Sequence, residues 1–205
     1  YFKQYDDLEK FNKKNGTNIR WVYGAEAYWV KDRHESDRSN CHIVLLARTD
    51  KGRKAINKIL SIANKDGYYA RPRIDLELID QLPYDDVMIT TACVAFWNKY
   101  DDIGDIVRCL VQKFPHFYLE VQAHDTPEQK ELNRRIIQMS EELNVPIIAG
   151  CDSHVITESQ MLDRDELLKS GNIHYEDEDG WYMDYPTYDV LFERFKQQGV
   201  LTDGQ

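Results

Sequence analysis

The chain has 205 residues, 42% of them hydrophobic and 30% charged, which is enough for one sizeable globular core. No apolar run approaches the ~20 residues that a membrane-spanning helix needs. The net charge of −10 lacks the basic excess of a duplex-binding face and suits a pocket of carboxylates around cations.

The first residues, Tyr1 to Asp7, read as a helix already under way, so the chain is expected to be cut from something longer, with no signal peptide. That helix ends near Asn15-Gly16. Arg20 to Val30, rich in β-branched and aromatic residues, reads as a strand. Lys31 to Asn40 is a charged loop, and His42 to Arg48 is a continuous apolar run, as in a strand buried on both faces. Lys51 to Asp66 carries Ala55, Ile56, Ile59, Ile62 and Ala63 on one helical stripe, with Gly67 placed as its C-cap.

Asp86 to Cys93 is a further buried strand, Ile103 to Phe114 a helix and Phe117 to Gln122 a strand. Thr126-Pro127-Glu128-Gln129 supplies an N-cap, a first-turn proline and a capping-box glutamine for a helix reaching about Leu143. Val145 to Cys151 is again a strand. Beyond Ser159 the pattern weakens: Tyr175 to Asp179 is acidic, Trp181 to Tyr185 suggests a short strand and Thr187 to Gln197 a last helix. Alternating strands and helices imply parallel strands joined by crossovers, with chemistry at the strand C-termini.

Side chains able to hold a metal recur at those ends. Glu26 lies in the first strand, Cys93 closes the third, His124 follows Gln122, and Asp152-Ser153-His154 follows the last; His42 opens its strand instead. Asp152 and His154 are the sharpest pair, since alternate residues of an extended backbone leave on one side. Each also has a plainer reading. Glu26 fits a solvated strand face, His42 a hydrogen-bonded structural histidine, Cys93 a small buried hydrophobe, and His124 a solvated loop. As a thiolate, Cys93 would be a soft ligand favouring zinc. The four cysteines form no C-x-x-C pair, which fits a reducing, cytoplasmic setting. Cys41, Cys109 and Cys151 read as packing residues, and His34, His116 and His174 as exposed loop residues. No phosphate-binding glycine loop, nucleophile elbow or aromatic–basic nucleic-acid stripe is visible.

Taken together, Gly24-Ala25-Glu26-Ala27-Tyr28, His42-Ile43-Val44-Leu45-Leu46-Ala47, Tyr69-Ala70-Arg71-Pro72-Arg73-Ile74-Asp75, Thr91-Ala92-Cys93, the segment from Tyr118 to His124, and Asp152-Ser153-His154 resemble the PHP (polymerase and histidinol phosphatase) domain of bacterial DNA polymerase III alpha subunits. The likeness spans about Tyr23 to Val155. It implies a distorted (β/α)7-type barrel with up to three divalent ions, zinc or manganese, at the strand C-termini. It carries metal-ligand roles onto Glu26, His42, Cys93, Asp152 and His154, and puts His124 beside the site.

The family's H-x-H and T-D-H-G motifs are not in this sequence, so an N-terminally incomplete barrel with fewer ions is expected. Residues 1–158 are assigned to that domain and 159–205 to an appendage leading toward polymerase domains. The implied chemistry is phosphoester or 3′–5′ exonuclease hydrolysis, without the polymerase aspartates. The implied partners are the remaining domains of the alpha subunit, the proofreading exonuclease subunit, and DNA through the full polymerase. The alternatives are a scaffold that docks the proofreader and a free-standing phosphoesterase. The Tyr69–Asp75 string favours the polymerase branch.

Overall fold

The computed structural model describes residues 2–38, 41–173 and 180–202. Helix α1 (Phe2–Asn15) precedes strands β1 (Gly24–Trp29) and β2 (His42–Ala47), then helix α2 (Asp50–Lys65). A short hairpin, β3 (Tyr68–Tyr69) and β4 (Arg71–Ile74), leads through α3 (Leu76–Ile79) to β5 (Val87–Thr90). Then come α4 (Val94–Asn98), α5 (Ile103–Lys113), β6 (Phe117–Gln122), α6 (Pro127–Leu143), β7 (Ile147–Gly150), α7 (Gln160–Ser170) and α8 (Tyr188–Gln198). The fold is mixed α/β, with one seven-stranded sheet in the order β3-β4-β1-β2-β5-β6-β7.

The expected all-parallel sheet needs correcting. β1 runs parallel to β4, and β5, β6 and β7 run parallel in turn, but β2 is antiparallel to both β1 and β5. The reason is the connection. A parallel neighbour is usually reached through a helical crossover, whereas the twelve residues between β1 and β2, 30–41, hold no helix among those described.

Register and alternation divide the sheet into two faces. Ala27, Trp29, Ile43, Leu45, Val87, Ile89, Leu119 and Val121 are buried on one face. There they join Ile56, Ile59 and Ala63 of α2, Val107 and Leu110 of α5, and Leu132 and Ile136 of α6 in one core. Each valine, leucine or isoleucine side chain so taken from water contributes roughly 1.5–3 kcal/mol. Thr49 caps α2 by accepting from the Gly52 amide at 3.2 Å, and Thr126 caps α6 by accepting from the Gln129 amide at 3.1 Å.

Two local expectations are overturned. Gly67 is not a left-handed cap; α2 ends at Asp66 in right-handed geometry, and Gly67 is needed because a Cβ there would strike the Arg73 carbonyl. Gln129 does not complete a capping box, because its amide donates to Asn133 at 2.9 Å inside the protein.

The string Tyr69–Asp75 has a clear structural task. Arg73, 2% exposed, donates to the carbonyls of Arg33, Glu35, Asp37 and Gly67 and so pins the loop after β1. Asp75 caps α3 through the Leu78 amide and takes two contacts at 2.8 Å from the buried Arg33 guanidinium.

Candidate functional site

The opposite face of the sheet carries the polar side chains. Glu26 pairs with Val44, Tyr28 with His42, Val44 with Thr90, and Thr90 with Tyr118, so Glu26, His42, Thr90, Glu120 and Gln122 share it. Because β2 is antiparallel, its first residue lies at the end where β1 and β5 finish. His42 therefore reaches the same sheet end as Cys93 by opening its strand.

His42 Nδ1 lies 3.3 Å from Glu26 Oε1 and 3.8 Å from Cys93 Sγ. Cys93 is not the last residue of a strand, since β5 ends at Thr90; it is the N-cap residue of α4 and makes no side-chain cap bond there. Burial pushes its thiol up to about 11, reinforced by the charges of Asp152, Glu26 and Glu120. A thiol in that setting stays protonated unless a cation draws off its proton.

Asp152 and His154 are also brought together, though not by strand alternation. Asp152 stands at φ 46, in left-handed conformation, just past the end of β7. Its carboxylate is 4.0 Å from His154 Nδ1, and that nitrogen donates to the Asp152 carbonyl at 2.8 Å. The donation places a proton on Nδ1, so that Nε2 is the nitrogen left to meet a ligand. Ala92, before Cys93, is likewise left-handed at φ 51, so two non-glycine residues in a costly conformation flank the site.

Glu120 escaped the sequence reading. Its carboxylate accepts from Thr90 Oγ1 at 2.8 Å and Gln122 Nε2 at 3.1 Å. Burial raises its pKa, and the charges of Asp152 and Glu26 add to the rise against those two hydrogen bonds. The space it fills is the one that a Cβ at Gly150 would take. The only sequence signal was a carboxylate alternating with Leu119 and Val121 in an otherwise apolar strand.

His124 is not a solvated loop residue. It is 2% exposed and stacked on Trp181 with ring centroids 4.5 Å apart. Its Nδ1 accepts from the Tyr182 amide at 3.0 Å, and Nε2 is buried without a partner. Burial holds its pKa down to about 4. Trp181 to Tyr185 form no strand. The segment works as a bracket instead: the Met183 carbonyl accepts from the amides of His154 and Val155, and Ser153 Oγ donates to Asp184. His34 is exposed and His116 half-buried, while His174 and Tyr175–Asp179 lie outside the described residues.

The predicted donors thus form two groups, Glu26–His42–Cys93 and Asp152–His154, linked through their charges around Cys93 and Glu120. Among the described residues no three donors close on a single point as a metal ligand set would.

The PHP domain family matches residues 1–124. The chain belongs to the PHP family. It is 30% identical over 190 residues to the DNA polymerase III subunit alpha of Aquifex aeolicus, an alignment covering 78% of this chain and 16% of that protein. It is 30% identical over 178 residues to the subunit of the same name from Borreliella burgdorferi, covering 80% of this chain and 15% of that protein. With the Deinococcus radiodurans subunit it shares 26% over 175 residues, covering 77% of the chain and 13% of that protein. The chain therefore spans about a sixth of the length of these relatives. Among the described residues no helix is long and apolar enough to cross a membrane.

Proposed function

We propose that this chain is the PHP region of a bacterial replicative DNA polymerase and that its polar sheet face holds divalent metal for phosphoester hydrolysis. The observation that supports this most is that Glu26 and Cys93 lie 3.3 and 3.8 Å from His42 Nδ1, while Asp152 of the separate Asp152–His154 pair acts by its charge on Cys93. The donor chemistry fits a zinc- or manganese-sized ion: carboxylates, imidazole nitrogens and one thiol. The pKa of Glu120 is raised by burial and further by the charges of Asp152 and Glu26, an arrangement a cation relieves.

Glu26, His42, Cys93, Asp152 and His154 would hold the metal. Bound there, divalent ions would activate water and stabilise the leaving oxygen of a phosphodiester. Thr90 and Gln122 fix Glu120 beside them, and the Trp181–Asp184 bracket orients His154 and shuts water away from His124. In this reading the sheet is part of a (β/α)7-type barrel, residues 1–158 form the PHP body, and 159–205 lead toward the polymerase domains, its partners in a cytoplasmic replication complex. DNA and the proofreading subunit are met through that larger assembly.

The test is hydrolysis of bis(p-nitrophenyl) phosphate and of a single-stranded oligonucleotide by the chain loaded with manganese or zinc. Metal-dependent turnover that chelator abolishes, with no primer extension, is the expected result. A chain that takes up no divalent metal and hydrolyses neither compound overturns the reading.

A second reading, as a docking scaffold, draws on α7. That helix buries no residue and leaves Leu162 and Leu167 each 72% exposed. Retention of the proofreading subunit by the chain, lost in a Leu162→Ser, Leu167→Ser variant, would support it.

A further inference from the structure

An arginine and a tyrosine from different strands extend the site beyond its acidic centre. The Arg71 guanidinium of β4 lies over the Tyr28 ring, 4.6 Å from its centroid. Tyr28 in turn meets His42 edge to face with centroids 5.0 Å apart. The two distances put the guanidinium no farther than about 10 Å from the His42 ring.

Several arginines of this acidic chain have found a carboxylate: Arg33, Arg53, Arg108, Arg134, Arg164 and Arg194 each pair with one. Arg71 is exposed, and among the described residues it makes no ion pair and rests on the ring alone. Stacking on Tyr28 orients the planar fork while leaving its N–H groups turned to solvent. Beside it, Tyr69 carries the guanidinium groups of both Arg38 and Arg73, each 5.5 Å from the ring centroid. Basic and aromatic groups that are scattered in the sequence thus meet at one edge of the sheet, next to His42.

We propose that Arg71, preoriented by Tyr28, binds the phosphate that flanks the one to be cleaved, so that the site prefers a strand of linked phosphodiesters over an isolated phosphoester. This rests on the phosphoester reading of the Glu26–His42–Cys93 centre. A guanidinium holds a phosphate with two parallel N–H donations, and a ring beneath it offers a platform for a base. The carboxylates of the centre repel a polyanion when no metal is bound, and a cation at the rim offsets that repulsion.

The test compares the wild-type chain with Arg71→Gln and Arg71→Lys, with Arg134→Gln as a surface control. Binding of a fluorescein-labelled oligothymidylate is followed by anisotropy in the presence of chelator, which needs no turnover. Arg71→Gln is expected to weaken binding about 10-fold, Arg71→Lys less, and Arg134→Gln not at all. In the metal-loaded chain, Arg71→Gln should raise KM for the oligonucleotide by a similar factor, and by more than it raises KM for bis(p-nitrophenyl) phosphate.

Wild-type affinity in both Arg71 variants overturns the proposal, and so does a wild-type chain that binds no oligonucleotide. Arg71→Lys keeps the charge and guards against a fold defect in Arg71→Gln. A wild-type chain that binds oligonucleotide but hydrolyses neither compound overturns the phosphoester reading, while the anisotropy arm still decides the role of Arg71.

Discussion

Glu120 on β6 and Gly150 on β7 fit together by omission: the carboxylate of one occupies the volume that a side chain on the other would need. The glutamate is thereby held against Thr90 and Gln122 and among the charges of Asp152 and Glu26. Gly150→Ala should drive the carboxylate out of this slot. The loss of two hydrogen bonds by a partly buried acceptor is expected to cost about 1–3 kcal/mol. Denaturant unfolding checks it. Thr90→Val in the Gly150→Ala background should add little, since the bond it removes is already gone. Full additivity of the two changes would show that the slot is not what places Glu120.

His124 gives the protein a pH dependence of known sign. Its folded pKa is held down to about 4 against an ordinary 6.5, so between those values the unfolded chain binds the extra proton and the folded chain refuses it. The stability tied to this histidine is complete above pH 6.5 and is lost as pH falls toward 4, with a slope of at most about 1.4 kcal/mol per pH unit. Urea unfolding from pH 7 to 4 should show a shallower decline in His124→Gln than in the wild type. Parallel curves would mean that Trp181 does not keep the ring dry.

The Arg33–Asp75 pair separates a buried charge from a surface one. Both side chains are under 10% exposed, whereas Glu77, the other partner of Arg33, is 68% exposed. Asp75→Ala leaves the buried guanidinium with the exposed Glu77 as its one carboxylate and uncaps α3, and is expected to cost about 3 kcal/mol. Glu77→Ala leaves Arg33 paired and should cost under about 1 kcal/mol. Thermal melts of the two variants test the contrast.

Much of the architecture was legible because local chemistry agreed with the fold. Thr126-Pro127 starts α6 where its cap and proline say, and the Ile56–Ile59–Ala63 stripe is the buried face of α2. Strand direction was not legible in His42–Ala47, since an apolar run reads the same both ways and the deciding feature is the absent crossover before it. His124 looked solvated because the ring that covers it, Trp181, comes from a segment far along the chain. Asp152 and His154 lie near each other, but a left-handed residue rather than extended backbone brings them together. Glu120 was hidden because the clue lay in a missing side chain on the neighbouring strand. The patch of Arg71, Tyr28, Tyr69 and Arg38 exists only after β4 and β1 pair.

If the Glu26–His42–Cys93 group and the Asp152–His154 pair take up metal together, as proposed, metal uptake by variants shows it most directly. Zinc and manganese should each bind the wild-type chain, with chelator shifting the melting temperature only modestly, since the core packs without the ion. Cys93→Ser should weaken zinc more than manganese, because it removes the one soft donor. Asp152→Ala should abolish most uptake of both metals. Stoichiometric zinc in the purified Asp152→Ala protein, measured by elemental analysis, would contradict the account.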